Sequence, residues 1–397
     1  MLNRLIALGL VLGLLTGLLA SATGNGALLR IAELSAPFGQ LFINAVRMVV
    51  IPLVVTVVFA SVAGLGDMAK LGGLGGRMAA VYAVTLVPAV ALGMGVTALG
   101  LRFAPDIDAP TLDAPTVPEL RGVTDFLVSL VPSNPIGAAA NGQLLPLIVF
   151  TLLLAAATGT LEAERRARMV QGAQDLSAAL IKLVWWVLWL APVGVFGLIA
   201  PATARLGWGL VQSLGLFIAC VFVGLILLMV LVYIPLLAWR GMRAGRFARG
   251  TAGALGIAVS TTSTATAIPV SLEEARGLGV SETTRDLLVP LGASLYRPGS
   301  ALFQGAAVVF LAHLYGLPLG MGAVIAVLFA TVLVSLTVAP VPSSGVITLA
   351  PALAAIGVPV AGLALLLGID RIPDMARSGV NVLGQIASAV LVDRDGP

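Results

Sequence analysis

The sequence predicts an all-helical integral membrane protein, with eight transmembrane helices and two re-entrant helical hairpins, on three observations. Of its 397 residues 59% are apolar and 10% charged, where soluble domains average about 45–50% and about 25%. Apolar runs near the length of about 20 residues that crosses a bilayer recur from Leu5 to Val392. Two further apolar stretches, 250–277 and 319–358, are each interrupted midway.

Taken in order, the spans fall near residues 4–22, 38–66, 77–103, 125–160, 175–203, 207–239, 284–315 and 359–392. The first has two readings. Arg4, an apolar stretch to Leu19 and the triplet Ala20-Ser21-Ala22 fit a cleavable signal peptide; Gly9, Gly13 and Gly17 fit the small-residue packing face of a first transmembrane helix. The interruptions at Ser260–Pro269 and at Pro340-Val341-Pro342-Ser343-Ser344-Gly345 need another account. Unpaired backbone at membrane depth is tolerated only within protein or beside a water-filled cavity. Paired broken segments therefore suggest two hairpins meeting near the midplane at a transport site.

Charge placement fixes orientation and excludes other classes. Lys70 and Arg77, then Arg165, Arg166 and Arg168, then Arg240, Arg243, Arg246 and Arg249 lie in alternate loops, which are expected to be cytoplasmic. The net charge of +4 is thus a topological bias, and no nucleic-acid partner is expected. The 104–124 loop, with Asp106, Asp108, Asp113 and Glu119, would lie outside as a surface crossing. One cysteine, Cys220, and one histidine, His313, exclude a disulfide framework and a metal site of the usual spacing. No nucleophile is paired with a base, so no enzyme and no cofactor are expected. Gly72-Gly73-Leu74-Gly75-Gly76 follows no strand and reads as a tight turn.

The chemistry concentrates in the last helix. Asp370, Asp374, Arg377, Ser378, Asn381 and Gln385 are spaced by 4, 3, 1, 3 and 4 residues, which puts them on one helical face. Each intramembrane charge costs at least about 2.5–3.5 kcal/mol by insertion scales, so they face a cavity or one another. One reading is a structural ion pair of Asp374 with Arg377 at i,i+3. The other is recognition: Arg377 offers a bidentate fork to a carboxylate and Asp374 accepts from an ammonium, as an aspartate-like or glutamate-like zwitterion requires. Hydroxyls and backbone amides around Thr262, Ser263 and Thr264 would then bind the remaining α-carboxylate.

These residues resemble the dicarboxylate/amino-acid:cation symporters, which include the glutamate transporters and their prokaryotic homologues. The hydroxyl-rich tip resembles Ser260 to Pro269, the second tip Val341 to Gly345, and the last-helix signature Gly368 to Val382. Pro132-Ser133-Asn134-Pro135, Asn141-Gly142 and Ala191-Pro192-Val193-Gly194-Val195-Phe196 match further landmarks, so the resemblance covers nearly the whole chain. It implies inverted repeats and a homotrimer in an inner membrane, each protomer with a static scaffold (1–75 and 125–205) and a transport domain (76–124 and 206–397) that slides as an elevator. It also implies that Arg377 holds the substrate's side-chain carboxylate and Asp374 its amino group. Ser378, Asn381 and Ser300 would supply polar contacts, and the hairpin residues Thr262, Ser263, Thr264, Ser344 and Gly345 would close the site. An acid at 374 favours an amino acid over a plain dicarboxylate, because a second anion would face it.

The departures from the family concern cations. Its Asn-Met-Asp-Gly-Thr becomes Tyr296-Arg297-Pro298-Gly299-Ser300, and Gln385 stands where it has a sodium-binding aspartate, an amide that offers a hard cation no charge. Tyr82 and Thr85 survive from the same ligand set, with Leu86 replacing a serine. Arg297 is read either as a tethered cation beside Asp370 and Asp374 or as an ordinary buried pair with Asp370. Both expect weakened sodium coupling, with a co-transported proton, substrate exchange or uncoupled movement in its place. The competing readings are a sodium symporter whose cation ligands are backbone carbonyls near Ser294 and the second tip, and an anion channel or leak pathway lined by Arg297 and Arg377.

Overall fold

The computed structural model describes residues 2–64, 72–105, 128, 130–141, 144–335, 344–349, 352–353, 357–358 and 362–393. Most of the 104–124 loop, Lys70, Gly142 and the second-tip residues Val341, Pro342 and Ser343 lie outside the described residues. Among those described the regular elements are all helical: α1 Leu2–Thr23, α2 Gly26–Gly64, α3 Gly72–Gly100, α4 Pro135–Ala140, α5 Leu144–Gly159, α6 Ala163–Leu228, α7 Ile234–Trp239, α8 Ala244–Gly250, α9 Ala252–Thr261, α10 Ile268–Gly277, α11 Glu282–Leu295, α12 Pro298–Leu314, α13 Met321–Ser335, α14 Ser344–Ile347, α15 Leu363–Ile369 and α16 Arg371–Val392. A π-helical turn, Met229–Tyr233, joins α6 to α7.

Leu5–Thr23, Gly73–Phe103, Trp189–Trp239 and Arg371–Val392 are long and apolar enough to cross a membrane. Their surroundings differ. Only 22% of the first is buried inside the protein, against 72% of the last. The first therefore sits at the rim of the fold, and the last runs through its interior.

Helix α1 shows how composition sets that rim position. Gly9, Gly13 and Gly17 recur every fourth residue and face α6: a Cβ on Gly13 would lie 3.2 Å from Ile199 Cβ, and one on Gly17 would lie 2.6 Å from Thr203 Cβ. On the outer side Leu8, Val11, Leu12, Leu15 and Leu19 are exposed, an apolar face suited to lipid contact. Gly24 takes φ 62, which glycine adopts without strain, and Asn25 Oδ1 then accepts from the Ala27 amide at 2.9 Å to cap α2.

Two of the expected spans are corrected, and the boundary between two others is located. The 125–160 stretch is not one helix: the Asn134 side chain accepts from the amides of Ile136 and Gly137 and starts the short α4, and α5 begins separately at Leu144. Residues 163–228 run with a single break at Gly207, whose φ 61 and ψ −147 no residue with a side chain adopts readily, and which falls at the expected boundary between the 175–203 and 207–239 spans. The 284–315 span is two helices, α11 and α12, interrupted at Tyr296 and Arg297. Pro298 at the first turn of α12 has no amide hydrogen to extend α11, and its ring drives Arg297 to extended geometry (φ −135, ψ 70).

The 250–277 stretch is helical on both sides of its hydroxyl run, α9 before it and α10 after it, and the two arms pack against each other. Thr262 closes α9 at φ 53, the one non-glycine residue with positive φ among those described. Helices α9, α11 and α12 all pack against α16, and α3 packs against α12, so the tip of the first hairpin, the break between α11 and α12 and the polar face of the last helix converge.

The glycine face of α1 yields a stability prediction. Gly17→Leu forces α1 away from α6 and should destabilise by about 1–3 kcal/mol or more, read as a lower melting temperature in detergent. Gly26→Ala, where a Cβ meets nothing within 4 Å, is the control; equal melting temperatures for both would refute the packing role.

Candidate functional site

The stripe of the last helix is buried along its whole length. Asp370, Arg377, Asn381 and Gln385 are each 1% exposed, Asp374 and Ser378 each 5%. Asp370 keeps helical angles (φ −57, ψ −29), so α15 and α16 continue one into the other and the stripe keeps its register.

Arg377 organises the centre. Its Nη1 and Nη2 donate to the two oxygens of Asp370 at 2.7 and 3.1 Å, and its Nε donates to Asp374 Oδ1 at 2.9 Å. Below it the Phe303 ring lies 4.3 Å from Cζ. Above it is the backbone of Gly345, where a Cβ would come within 3.2 Å of Cζ, so glycine admits the guanidinium. Gln304, fully buried on α12, holds that turn by donating to the Gly345 carbonyl at 3.1 Å and to Thr348 Oγ1 at 3.0 Å. Phe303 and Gln304 escaped the sequence reading. A buried amide in the apolar run of α12 was a signal for Gln304; an aromatic in such a run is ordinary, and nothing marked Phe303. Ser344 opens α14.

Both Asp370 and Asp374 are therefore partners of Arg377, as the structural-pair reading expects for Asp374, and the alternative that paired Asp370 with Arg297 is corrected. Among the described residues no carboxylate oxygen lies within 4.0 Å of an Arg297 nitrogen. Arg297, 4% exposed, instead donates from Nη2 to Thr264 Oγ1 and to the Ala293 carbonyl, both at 2.8 Å. A second arginine reaches the same tip: Arg371 Nη1 donates to Thr262 Oγ1 at 2.7 Å. The amide of Ser263 bonds Thr261 Oγ1 at 3.3 Å, so this tip amide is engaged within the turn.

Asn381 and Ser300 satisfy each other. The Ser300 amide donates to Asn381 Oδ1 at 3.1 Å, and Asn381 Nδ2 donates to Ser300 Oγ at 3.0 Å. This links the first turn of α12 to the stripe, and a Cβ at the neighbouring Gly299 would lie 3.1 Å from Arg377 Cα.

The residues at the cation sites that the resemblance implies to be lost or weakened form a hydroxyl cluster. The Tyr296 phenol lies 2.5 Å from Thr85 Oγ1 and 2.6 Å from the Tyr233 hydroxyl, and its ring stacks on Tyr82 with centroids 4.0 Å apart. Tyr233 is brought there by the π-helical turn, a distortion found often at functional sites. Gln385 Nε2 donates to the Tyr296 carbonyl at 3.5 Å. Tyr82, Thr85 and Gln385 thus all meet Tyr296, through ring stacking, its phenol and its carbonyl respectively.

Tyr296→Phe removes the oxygen shared by Thr85 and Tyr233. Leaving buried hydroxyls short of a partner should cost about 1–3 kcal/mol, measured by denaturation in detergent; a variant as stable as the parent would show that the cluster contributes packing alone.

Chemically the site is a buried guanidinium paired with two carboxylates, near the hydroxyls of the first hairpin tip and the break between α11 and α12. The comparisons agree with that chemistry. The model of the sodium:dicarboxylate symporter family matches residues 2–395. A C4-dicarboxylate transport protein of Anaeromyxobacter sp. (strain K) is 33% identical over 98% of this chain and 88% of its own length. The proton/glutamate-aspartate symporter of Escherichia coli (strain K12) is 30% identical over 98% of this chain and 91% of its own, and the proton/sodium-glutamate symport protein of Bacillus subtilis (strain 168) is 30% identical with the same coverage. A polytopic helical chain, carrying this site and matched from its second residue almost to its end, belongs to the sodium:dicarboxylate symporter family.

Proposed function

We propose that the chain is a secondary transporter of an acidic amino acid with weakened or absent sodium coupling, working as a homotrimer of eight-span protomers whose transport domains slide as elevators. The observation that carries the reading is the buried ion cluster of Arg377 with Asp370 and Asp374. A carboxylate ligand can exchange with one of these aspartates for the guanidinium fork, and the freed acid then faces the ligand's ammonium group.

Weakened sodium coupling is supported by the hydroxyl cluster. The phenol of Tyr296 and the amide nitrogen of Gln385 stand where the family resemblance puts cation ligands, and neither supplies a negative charge to a hard cation. A proton, an exchanged substrate molecule or the substrate gradient alone would then drive uptake.

A second reading is favoured by one specific contact. Arg377 donates to Asp374 as well as to Asp370, so the charge that would repel a plain dicarboxylate is neutralised within the protein. A C4-dicarboxylate is accordingly the alternative substrate, as the name of the Anaeromyxobacter relative suggests.

Uptake of labelled aspartate, glutamate and succinate into proteoliposomes tests both. Aspartate or glutamate should outpace succinate, and replacing external sodium by potassium should change uptake by less than about twofold. A loss of about tenfold without sodium, equivalent to about 1.4 kcal/mol, would defeat the coupling proposal, and succinate uptake alone would favour the second substrate. Arg377→Ala should abolish uptake of every acidic substrate; unchanged uptake would remove Arg377 from the site.

A further inference from the structure

We infer that Arg297 is a specificity-determining residue, a second guanidinium that binds the substrate carboxylate lying nearest the first hairpin tip, in addition to the side-chain carboxylate held by Arg377. The inference rests on the transport reading above and assigns Arg297 a direct contact with the ligand.

Three observations carry it. Arg297 is 4% exposed and its Nε is buried with no hydrogen-bond partner. An unmet donor on a buried charged group is expensive, and such groups in native structures serve a purpose. No carboxylate oxygen among the described residues lies within 4.0 Å of the guanidinium, since Asp370 spends both oxygens on Arg377 and Asp374 Oδ1 also faces Arg377. The guanidinium's position is fixed by neutral acceptors, Thr264 Oγ1 on the tip and the Ala293 carbonyl. Neither cancels its charge.

Location supplies the ligand class. Arg297 lies at the break where α12 begins, beside the hairpin tip and two residues from Gly299, which abuts the Arg377 backbone. Asp374 and Arg377 are both within electrostatic reach of it. Two guanidiniums at one site, one of them with an unfilled donor, match a short ligand carrying two carboxylates. A guanidinium also does this in a way a bound cation does not, by presenting directed planar donors.

The test uses neutral isosteres of each carboxylate in turn. Binding of aspartate, of asparagine (side-chain carboxylate replaced by an amide) and of isoasparagine (α-carboxylate replaced by an amide) is measured by competition against labelled aspartate, with the parent and with Arg297→Gln. The parent should bind isoasparagine about 10- to 100-fold more weakly than aspartate, the range of a charge-assisted hydrogen bond. In Arg297→Gln that α-amide penalty should fall to about twofold or less, while the asparagine penalty remains.

Equal penalties for both amides in parent and variant would overturn the inference, leaving Arg297 a tethered charge that acts on all ligands alike. Arg297→Lys, which keeps the charge and loses the fork, should retain part of the α-amide penalty and serves in place of the glutamine variant if that variant does not fold. Failure of the parent to bind aspartate, glutamate or succinate would refute the transport reading itself, an outcome separate from a parent that binds aspartate with Arg297 indifferent to the α-carboxylate.

Discussion

The interior depends on one ion cluster. Arg377, with Asp370 seven residues before it and Asp374 three residues before it, keeps three charges in a region with almost no access to water. Removing one partner of a buried pair typically costs about 3–5 kcal/mol, because the other charge is stranded. The surrounding elements follow from that need. Phe303 covers one face of the guanidinium, the Gly345 backbone covers the other, and Gln304 ties the Gly345 turn to α12. Helices α9, α11 and α12 pack on the stripe and close it from solvent. The charged centre and the interrupted helices thus belong to one design, since breaks free short turns to approach the stripe where unbroken helices would be held off by their side chains.

Much of this was legible in the sequence, for identifiable reasons. The stripe could be read because its six residues lie on one helix, where spacing alone fixes the shared face. The first hairpin could be read because Ser260 to Pro269 is too polar for a continuous span. The i,i+3 pair of Asp374 with Arg377 could be read from spacing, but Asp370 as a second partner could not, because spacing alone does not say that the i−7 acid turns to the same guanidinium. The break at Tyr296 was harder still: the 284–315 run stays mostly apolar across it, and Pro290, within α11, shows that proline alone does not mark an interruption. The residue before Pro298 held the usable signal, since an arginine forced out of helical geometry is poorly placed in an ordinary span. Contacts between distant segments, such as Thr85 with Tyr296 and Tyr233, have no signature along the chain.

The hydroxyl cluster shows how one phenol can tie several segments together. Tyr296 brings a ring that stacks on Tyr82 and a hydroxyl that lies within hydrogen-bond distance of Thr85 and Tyr233. Substitution by a small apolar residue would have left a void and unmet hydroxyls, each with its own cost. The nearby glycines fit the same solution: at Gly384 a Cβ would lie 2.8 Å from the Tyr233 hydroxyl, and at Gly292 3.0 Å from Gln385 Cγ.

The charge count of this interior has an electrical consequence. Arg297 and Arg377 balance Asp370 and Asp374, and all four are covalently part of the chain. In the proposed elevator, a moving domain built this way would carry no net charge from these groups when empty, so the membrane potential would do no work on its return. Loaded with the proposed singly negative amino acid it would carry one charge, on which the potential acts by about 2.3 kcal/mol per 100 mV. A bound ion that is released on the far side delivers the energy of its own gradient; a guanidinium that never leaves delivers none. Voltage would then bear on the loaded step alone, and an inside-negative potential would oppose inward movement of the anion unless another positive charge travels with it.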